Sequence, residues 1–114
     1  MAGYTVTALS LDQQEPTSHF TIVASVFDNN GLGVSNLSES NFTVHNISSE
    51  THVVVAKLQS AGLPGYYRLL LRMEPVANAG EYILALVVTS RYHIVGRVPE
   101  NMTGGNTMFK VRAV

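Results

Sequence analysis

The strongest indication of the fold class is the stretch Phe20-Thr-Ile-Val-Ala-Ser-Val-Phe-Asp-Asn-Asn-Gly31. Its first eight residues are rich in β-branched and aromatic side chains, which strands favour, and apolar residues recur at every second position. Asp28-Asn-Asn-Gly31 then ends the run with residues that tolerate the positive φ angles of tight turns. The stretch therefore predicts a half-buried β-strand that is followed by a turn.

The same alternation of short β-rich runs and turn signals continues in both directions. Strands are predicted over residues 4–9, 20–27, 42–45, 52–58, 66–73, 82–89 and 107–114, with an eighth candidate over 91–98. The segment 82–89 is the most apolar, which predicts a central strand that is covered on both faces. Gly104-Gly105 predicts a loop over 100–106. Whether 91–106 pairs with a sheet or forms a binding loop stays open.

Seven or eight short strands with turns about every ten residues are typical of all-β sandwiches and barrels. A chain of 114 residues has the length of one domain, so a single domain over 1–114 is predicted. The predicted core consists of the inward positions of these strands: Phe20, Ile22, Val26, Phe42, Val44, Val53, Val55, Tyr67, Leu69, Leu71, Tyr82, Leu84, Leu86, Val88, Phe109 and Val111.

Composition excludes several classes of protein. Hydrophobic residues make up 46% and charged residues 13% of the chain, so intrinsic disorder is not expected. The net charge of -1 argues against a nucleic-acid partner. The chain has no cysteine, which excludes disulfides, cysteine-bound metals and thiol nucleophiles. The longest apolar run, 82–88, is too short to insert in a membrane as a helix.

Two local patterns narrow the fold class. Tyr82 begins the most apolar strand after a corner that contains Pro75 and Gly80, as in the tyrosine corner of immunoglobulin-like sandwiches. The stretches 26–37 and 41–44, with Gly65-Tyr66-Tyr67 and Gly80-Glu81-Tyr82, resemble prokaryotic immunoglobulin-like modules. Invasin-like repeats and the module that precedes some bacterial von Willebrand-type domains are similar. The resemblance covers residues 20–90 and implies adhesion, spacing or assembly outside the cell, without catalysis.

Residues that could bind a metal are few. His45 and His52 flank a turn that contains Glu50, which would suit a zinc site across a hairpin, although two histidines at strand ends on the surface explain the pattern better. Asp28-Asn-Asn-Gly31 offers oxygen ligands for calcium, but a β-turn explains it better, since the chain has only two aspartates. We therefore predict no metal and no cofactor.

No catalytic constellation is evident. A nucleophilic Gly-x-Ser-x-Gly motif is absent, and Glu74 and Glu81, which flank one turn, are explained better as solvated residues than as paired catalytic carboxylates. The exposed tyrosines Tyr66 and Tyr92 are the predicted ligand-binding residues, for a glycan or another small ligand.

Four Asn-x-Ser/Thr sequences begin at Asn36, Asn41, Asn46 and Asn101, which is a mild excess. They indicate either glycosylation of an exported protein or a surface rich in Ser, Thr and Asn.

Together, these patterns predict an immunoglobulin-like antiparallel β-sandwich of seven or eight strands. The first function hypothesis is a non-catalytic structural or protein-interaction module of a secreted or cell-surface assembly, and the chain could be a fragment of a longer exported protein. It would bind a protein partner or self-associate through sheet edges, since few lysines protect those edges. The alternatives are a carbohydrate- or small-ligand-binding module and a small metal-dependent or hydrolytic enzyme.

Overall fold

A computed structural model describes residues 3–11, 19–74, 80–91 and 102–113. In these ranges the protein is all-β, with seven strands and one short 3₁₀ turn at Glu39–Asn41. The strands are β1 (Thr5–Ser10), β2 (His19–Phe27), β3 (Phe42–Asn46), β4 (His52–Ser60), β5 (Tyr66–Glu74), β6 (Gly80–Arg91) and β7 (Met102–Ala113). Each predicted strand from 4–9 to 82–89, and the one at 107–114, matches one of these elements. The candidate strand over 91–98 lies, apart from Arg91, outside the described residues.

The strands form two antiparallel sheets. The four-stranded sheet has the order β1-β2-β5-β4, and the three-stranded sheet has the order β3-β6-β7. Neighbouring strands in a sheet include pairs that are distant in sequence, such as β2 with β5 and β3 with β6. The inward faces of both sheets contribute to one hydrophobic core.

Period-two alternation explains the core. Apolar residues at alternate positions share one face of a strand, and burying that face is the main favourable contribution to folding. All predicted core residues except Val53, Val55 and Tyr82 are buried, and these three pack half-buried against the cluster. The buried core also includes residues that were not predicted, namely Val6, Ala24 and Met73.

The prediction that β6 is a central strand is confirmed, but the prediction that both of its faces are covered is wrong. β6 lies between β3 and β7, so it is the central strand of its sheet. Its inner residues Leu84, Leu86 and Val88 are fully buried, whereas Ile83 on the outer face is 45% exposed. The outer face is open because, over the described residues, no second layer covers this sheet on that side.

The loop prediction over 100–106 is wrong for residues 102–106, which belong to β7. Gly104 and Gly105 are needed there because other backbone segments approach closely. A Cβ on Gly105 would lie 2.3 Å from the carbonyl oxygen of Tyr4, and one on Gly104 would lie 2.8 Å from that of Val88. The Tyr4 N–H donates to the Gly104 carbonyl at 3.0 Å, which ties the start of the chain to β7.

Over the described ranges, the structure contains no helix with the length and apolar character needed to cross a membrane.

Candidate functional site

A pocket of about 520 Å³ lies between the loop that follows β2 and the turn that joins β4 to β5. Its volume is in the range that small-ligand sites occupy, about 300–1,000 Å³. Its lining residues are Ser35, Asn36, Leu37, Leu58, Ser60, Gly62, Leu63, Pro64, Gly65 and Tyr67.

Tyr67 holds one wall of the pocket in place. Its side chain is buried on the inner face of β5, where the ring packs edge-on against Phe42 with 5.3 Å between ring centroids. Its hydroxyl donates to the carbonyl of Val34 at 2.6 Å and accepts the N–H of Leu37 at 3.3 Å. One side chain therefore satisfies two backbone groups of the loop and fixes that loop against the sheet.

The two loops also approach each other through glycine backbones. A Cβ on Gly33 would lie 2.2 Å from the carbonyl oxygen of Pro64, and Gly65 has a φ of +87°, which L side chains rarely adopt. The Gly65 carbonyl accepts the Val26 N–H at 2.8 Å, and the Val34 N–H donates to the Val26 carbonyl at 2.9 Å. These bonds connect both loops to the end of β2, so backbone contacts hold the two sides of the pocket together.

The chemistry of the lining is uncharged. Apolar surface comes from leucine and proline side chains, and hydrogen-bonding groups come from the exposed side chains of Ser35, Asn36 and Ser60. Asn36 has a φ of +64°, a left-handed conformation that asparagine tolerates better than most residues. The groups that line the pocket would suit an uncharged, partly apolar ligand, and among the described residues its walls contain no acid, base or nucleophile arranged for catalysis.

Of the two predicted ligand-binding tyrosines, Tyr66 does not line this pocket. Tyr66 is half-buried on the outer face of the four-stranded sheet, where its ring packs edge-on against Phe27 with 5.6 Å between centroids. Tyr92 lies outside the described residues, so its role stays a prediction. Sequence reasoning assigned Tyr67 to the core and missed its place beside the pocket, because its two hydrogen-bond partners are more than 25 residues away.

The tyrosine corner at Tyr82 stays a prediction, since residues 75–79 lie outside the described ranges. Tyr82 packs half-buried against the core, as an inward residue of β6 would.

The zinc hypothesis gains no support from the geometry. His45, Glu50 and His52 line one shallow depression of about 360 Å³, with Asn46 and Thr51 between them. In the part of the chain that the structure describes, however, no three histidine or acidic side chains come together as a metal-binding group. All three residues are exposed, as expected for residues at strand ends and in turns.

The side chain of Asp28 stabilises the turn that follows β2. Its Oδ1 accepts the N–H groups of Asn30 at 2.8 Å and Leu32 at 3.0 Å, and its carbonyl accepts the Gly31 N–H. The carboxylate is therefore used to close the turn, as the β-turn interpretation predicts.

Glu74 and Glu81 do not form a carboxylate pair. On the four-stranded sheet, Glu74 Oε2 lies 3.2 Å from Arg72 Nη2. On the three-stranded sheet, Glu81 Oε1 lies 3.8 Å from Lys110 Nζ. Each carboxylate has its own cationic neighbour and is more than half exposed, so both are surface residues.

In two of the four Asn-x-Ser/Thr sequences, the asparagine side chain forms hydrogen bonds that stabilise the local backbone. The Asn41 Nδ2 donates to the Thr89 carbonyl at 2.7 Å, and its Oδ1 accepts the Ser38 N–H, which connects the 3₁₀ turn to β6. The Asn46 Nδ2 donates to the Ser49 hydroxyl, and its Oδ1 accepts the Ser48 and Ser49 N–H groups. A glycan on either Nδ2 would have to fit beside these contacts.

Asn36 differs from Asn41 and Asn46. It is exposed, and the structure assigns its side chain no hydrogen bond. Asn101 lies outside the described residues.

The outer face of the three-stranded sheet carries a strip of apolar side chains. Ile47 is 55% exposed, Ile83 is 45% exposed and Met108 is 67% exposed. They are neighbours, because the Ile47 N–H donates to the Ile83 carbonyl at 2.9 Å and Met108 pairs with Ala85, two residues along β6 from Ile83. Val87 continues the strip on β6. We call Ile47, Ile83, Ala85, Val87 and Met108 the apolar strip.

No known family model, curated protein or solved structure matches this chain.

Proposed function

We propose that this chain is a non-catalytic interaction module with an immunoglobulin-like β-sandwich fold, which works in a secreted or cell-surface assembly. The strand order supports the fold. Seven strands divided as β1-β2-β5-β4 and β3-β6-β7 correspond to the four-plus-three arrangement of constant-type immunoglobulin domains. The resemblance of residues 20–90 to prokaryotic immunoglobulin-like modules supports the setting.

The apolar strip is the observation that carries the interaction function. Single exposed apolar side chains are normal, but neighbouring ones that form a strip on a sheet face are typical of contact surfaces. Ile83 keeps 45% and Met108 keeps 67% of its solvent exposure in the folded chain, so burial in the core does not account for their apolar character. Covering the strip with a protein surface would remove this apolar area from water.

Association through sheet edges is a weaker route than association through this face. β3 has five residues, and β4 has a register shift between Val55 and Lys57. Short edge strands, bulges and edge lysines each hinder the pairing of a further strand. β1 and β7 also pack against each other, which partly covers both edges on that side.

Light scattering tests the proposal over about a hundredfold range of protein concentration. The wild type should associate as concentration rises, and Ile83→Lys should shift it to monomer because a charge then lies in the contact. Thr5→Lys adds the same charge to an exposed position on the other sheet and should leave association unchanged. A wild type that stays monomeric to about 1 mM, where binding would be worth only about 4 kcal/mol, would contradict self-association through this face.

The pocket between the loop after β2 and the β4–β5 turn favours a second function, that of a carbohydrate- or small-ligand-binding module. An uncharged wall with hydroxyl, amide and apolar groups suits a neutral sugar. A glycan screen should then give binding that Leu63→Ala weakens, since Leu63 lines the pocket and is exposed. Leu32→Ala is the matched control, because Leu32 is equally exposed but does not line the pocket. A screen without binding would remove this second function.

A further inference from the structure

We propose that Lys57 and Arg68 form an anion-binding site on the outer face of the four-stranded sheet, which accepts an oxyanion group such as a carboxylate or a sulfate. This site goes beyond the proposed function, because that function uses the outer face of the other sheet.

The strand register places the two cations next to each other. Lys57 lies opposite Leu70 and Gln59 lies opposite Arg68 in the antiparallel ladder between β4 and β5. Lys57 and Arg68 are therefore diagonal neighbours on one sheet face, within reach of each other's long side chains.

A β-bulge is what brings Lys57 to this face. Before the bulge, Val53 and Val55 alternate inwards, opposite Met73 and Leu71. Regular alternation would point residue 57 inwards as well, but the register shift between Val55 and Lys57 reverses the phase. Bulges often re-aim a side chain at a functional site, and this one places a cation beside Arg68 instead of in the core.

The cations border a shallow groove of about 170 Å³ that crosses three strands. Its lining residues are Thr21, Lys57, Gln59, Arg68 and Leu70. Thr21 on β2 lies opposite Leu70, so its hydroxyl faces the groove from the side away from β4. The groove thus combines two cationic groups and two neutral hydrogen-bonding groups around one half-buried leucine, which suits an oxyanion attached to an apolar body.

Among the described residues, neither cation has a carboxylate partner. Lys57 and Arg68 form no ion pair within these ranges, whereas Arg72 Nη2, on the same face, lies 3.2 Å from Glu74 Oε2. Two neighbouring cations without an acid repel each other, so an anion bound between them would remove that repulsion as well as gain charge-assisted hydrogen bonds. This arrangement is notable in a chain with only seven Lys and Arg residues.

NMR titration tests the site with two probes, sodium sulfate and sodium acetate, at low ionic strength. Sodium chloride at the same ionic strength is the reference for general screening. Saturable shifts at Thr21, Gln59 and Leu70 are expected with at least one probe, and they should weaken in 0.15 M sodium chloride, where the screening length falls to about 8 Å. Stronger binding of sulfate would indicate a sulfated or phosphorylated source, and stronger binding of acetate a carboxylate source.

Two double variants distinguish anion binding at this site from non-specific attraction of anions to any surface cation. The double variant Lys57→Gln with Arg68→Gln should weaken binding about tenfold or more, because it removes both charge-assisted partners. Lys110→Gln with Arg112→Gln removes the same charge from the other sheet, where Lys110 already has Glu81 at 3.8 Å, and should change binding less than about twofold.

Equal losses in the two double variants would overturn the proposal. So would shifts that match those of chloride, or no saturable shift with either probe. A thermal melt of each variant confirms that it folds.

Discussion

The outer faces of the two sheets differ in chemistry, although their inner faces are alike. Both sheets bury alternate apolar residues in one core. The outer face of the three-stranded sheet exposes Ile83 and Met108, and its Lys110 lies near Glu81, whereas the outer face of the four-stranded sheet carries Lys57 and Arg68 with no carboxylate partner among the described residues. Since folding constrains mainly the inner faces, the difference between the outer faces is the basis of the two binding proposals. One suits an apolar protein surface and the other suits an anion.

The largest expected effect compares two neighbours on β6. Leu84→Ala should destabilise the protein by about 2–5 kcal/mol, because it leaves a cavity at a fully buried position. Ile83→Ala should cost less than about 1 kcal/mol, because its side chain faces outwards. Denaturant unfolding measures both. A similar loss for the two variants would mean that the apolar strip serves folding and not contact.

The second comparison uses the adjacent tyrosines of β5. Tyr67→Phe should destabilise the protein by about 1–3 kcal/mol, because the Leu37 N–H and the Val34 carbonyl lose their shared partner. Tyr66→Phe keeps the ring contact with Phe27 and should change stability by less than about 0.5 kcal/mol. Thermal unfolding checks this order, and the reverse order would contradict the assignment of Tyr67 to the loop.

The smallest expected effect concerns the charged face. Lys57→Gln should stabilise the free protein by a few tenths of a kcal/mol, because it removes repulsion between Lys57 and Arg68. The gain should shrink in 0.5 M sodium chloride, since salt screens exposed charges. Gln59→Leu is a control at a neighbouring position without charge change. If Lys57→Gln instead destabilises the protein in low salt, repulsion between Lys57 and Arg68 does not limit its stability.

The strands and their inner faces can be predicted from the sequence, because the alternation of apolar residues is visible within each short segment. In Tyr66–Glu74, one set of alternate positions is apolar throughout while the other contains Arg68 and Arg72, and this period assigns Leu69 and Leu71 to the core. The turn at Asp28 is local in the same sense, since its bonds span only two to four residues. The glycines at 104 and 105 were misread because a turn signal and a close backbone approach look the same in one sequence.

The candidate sites depend on contacts that no local pattern contains. An all-β chain with its core positions follows from local patterns, because the side chains of a strand alternate whatever lies beside it. The contacts of Tyr67 with Val34 and Leu37, and the bulge that puts Lys57 beside Arg68, depend on the three-dimensional packing of distant segments. The reason is physical: strand order and register are set by the packing of distant segments, and a shift of one residue moves every side chain to the opposite face.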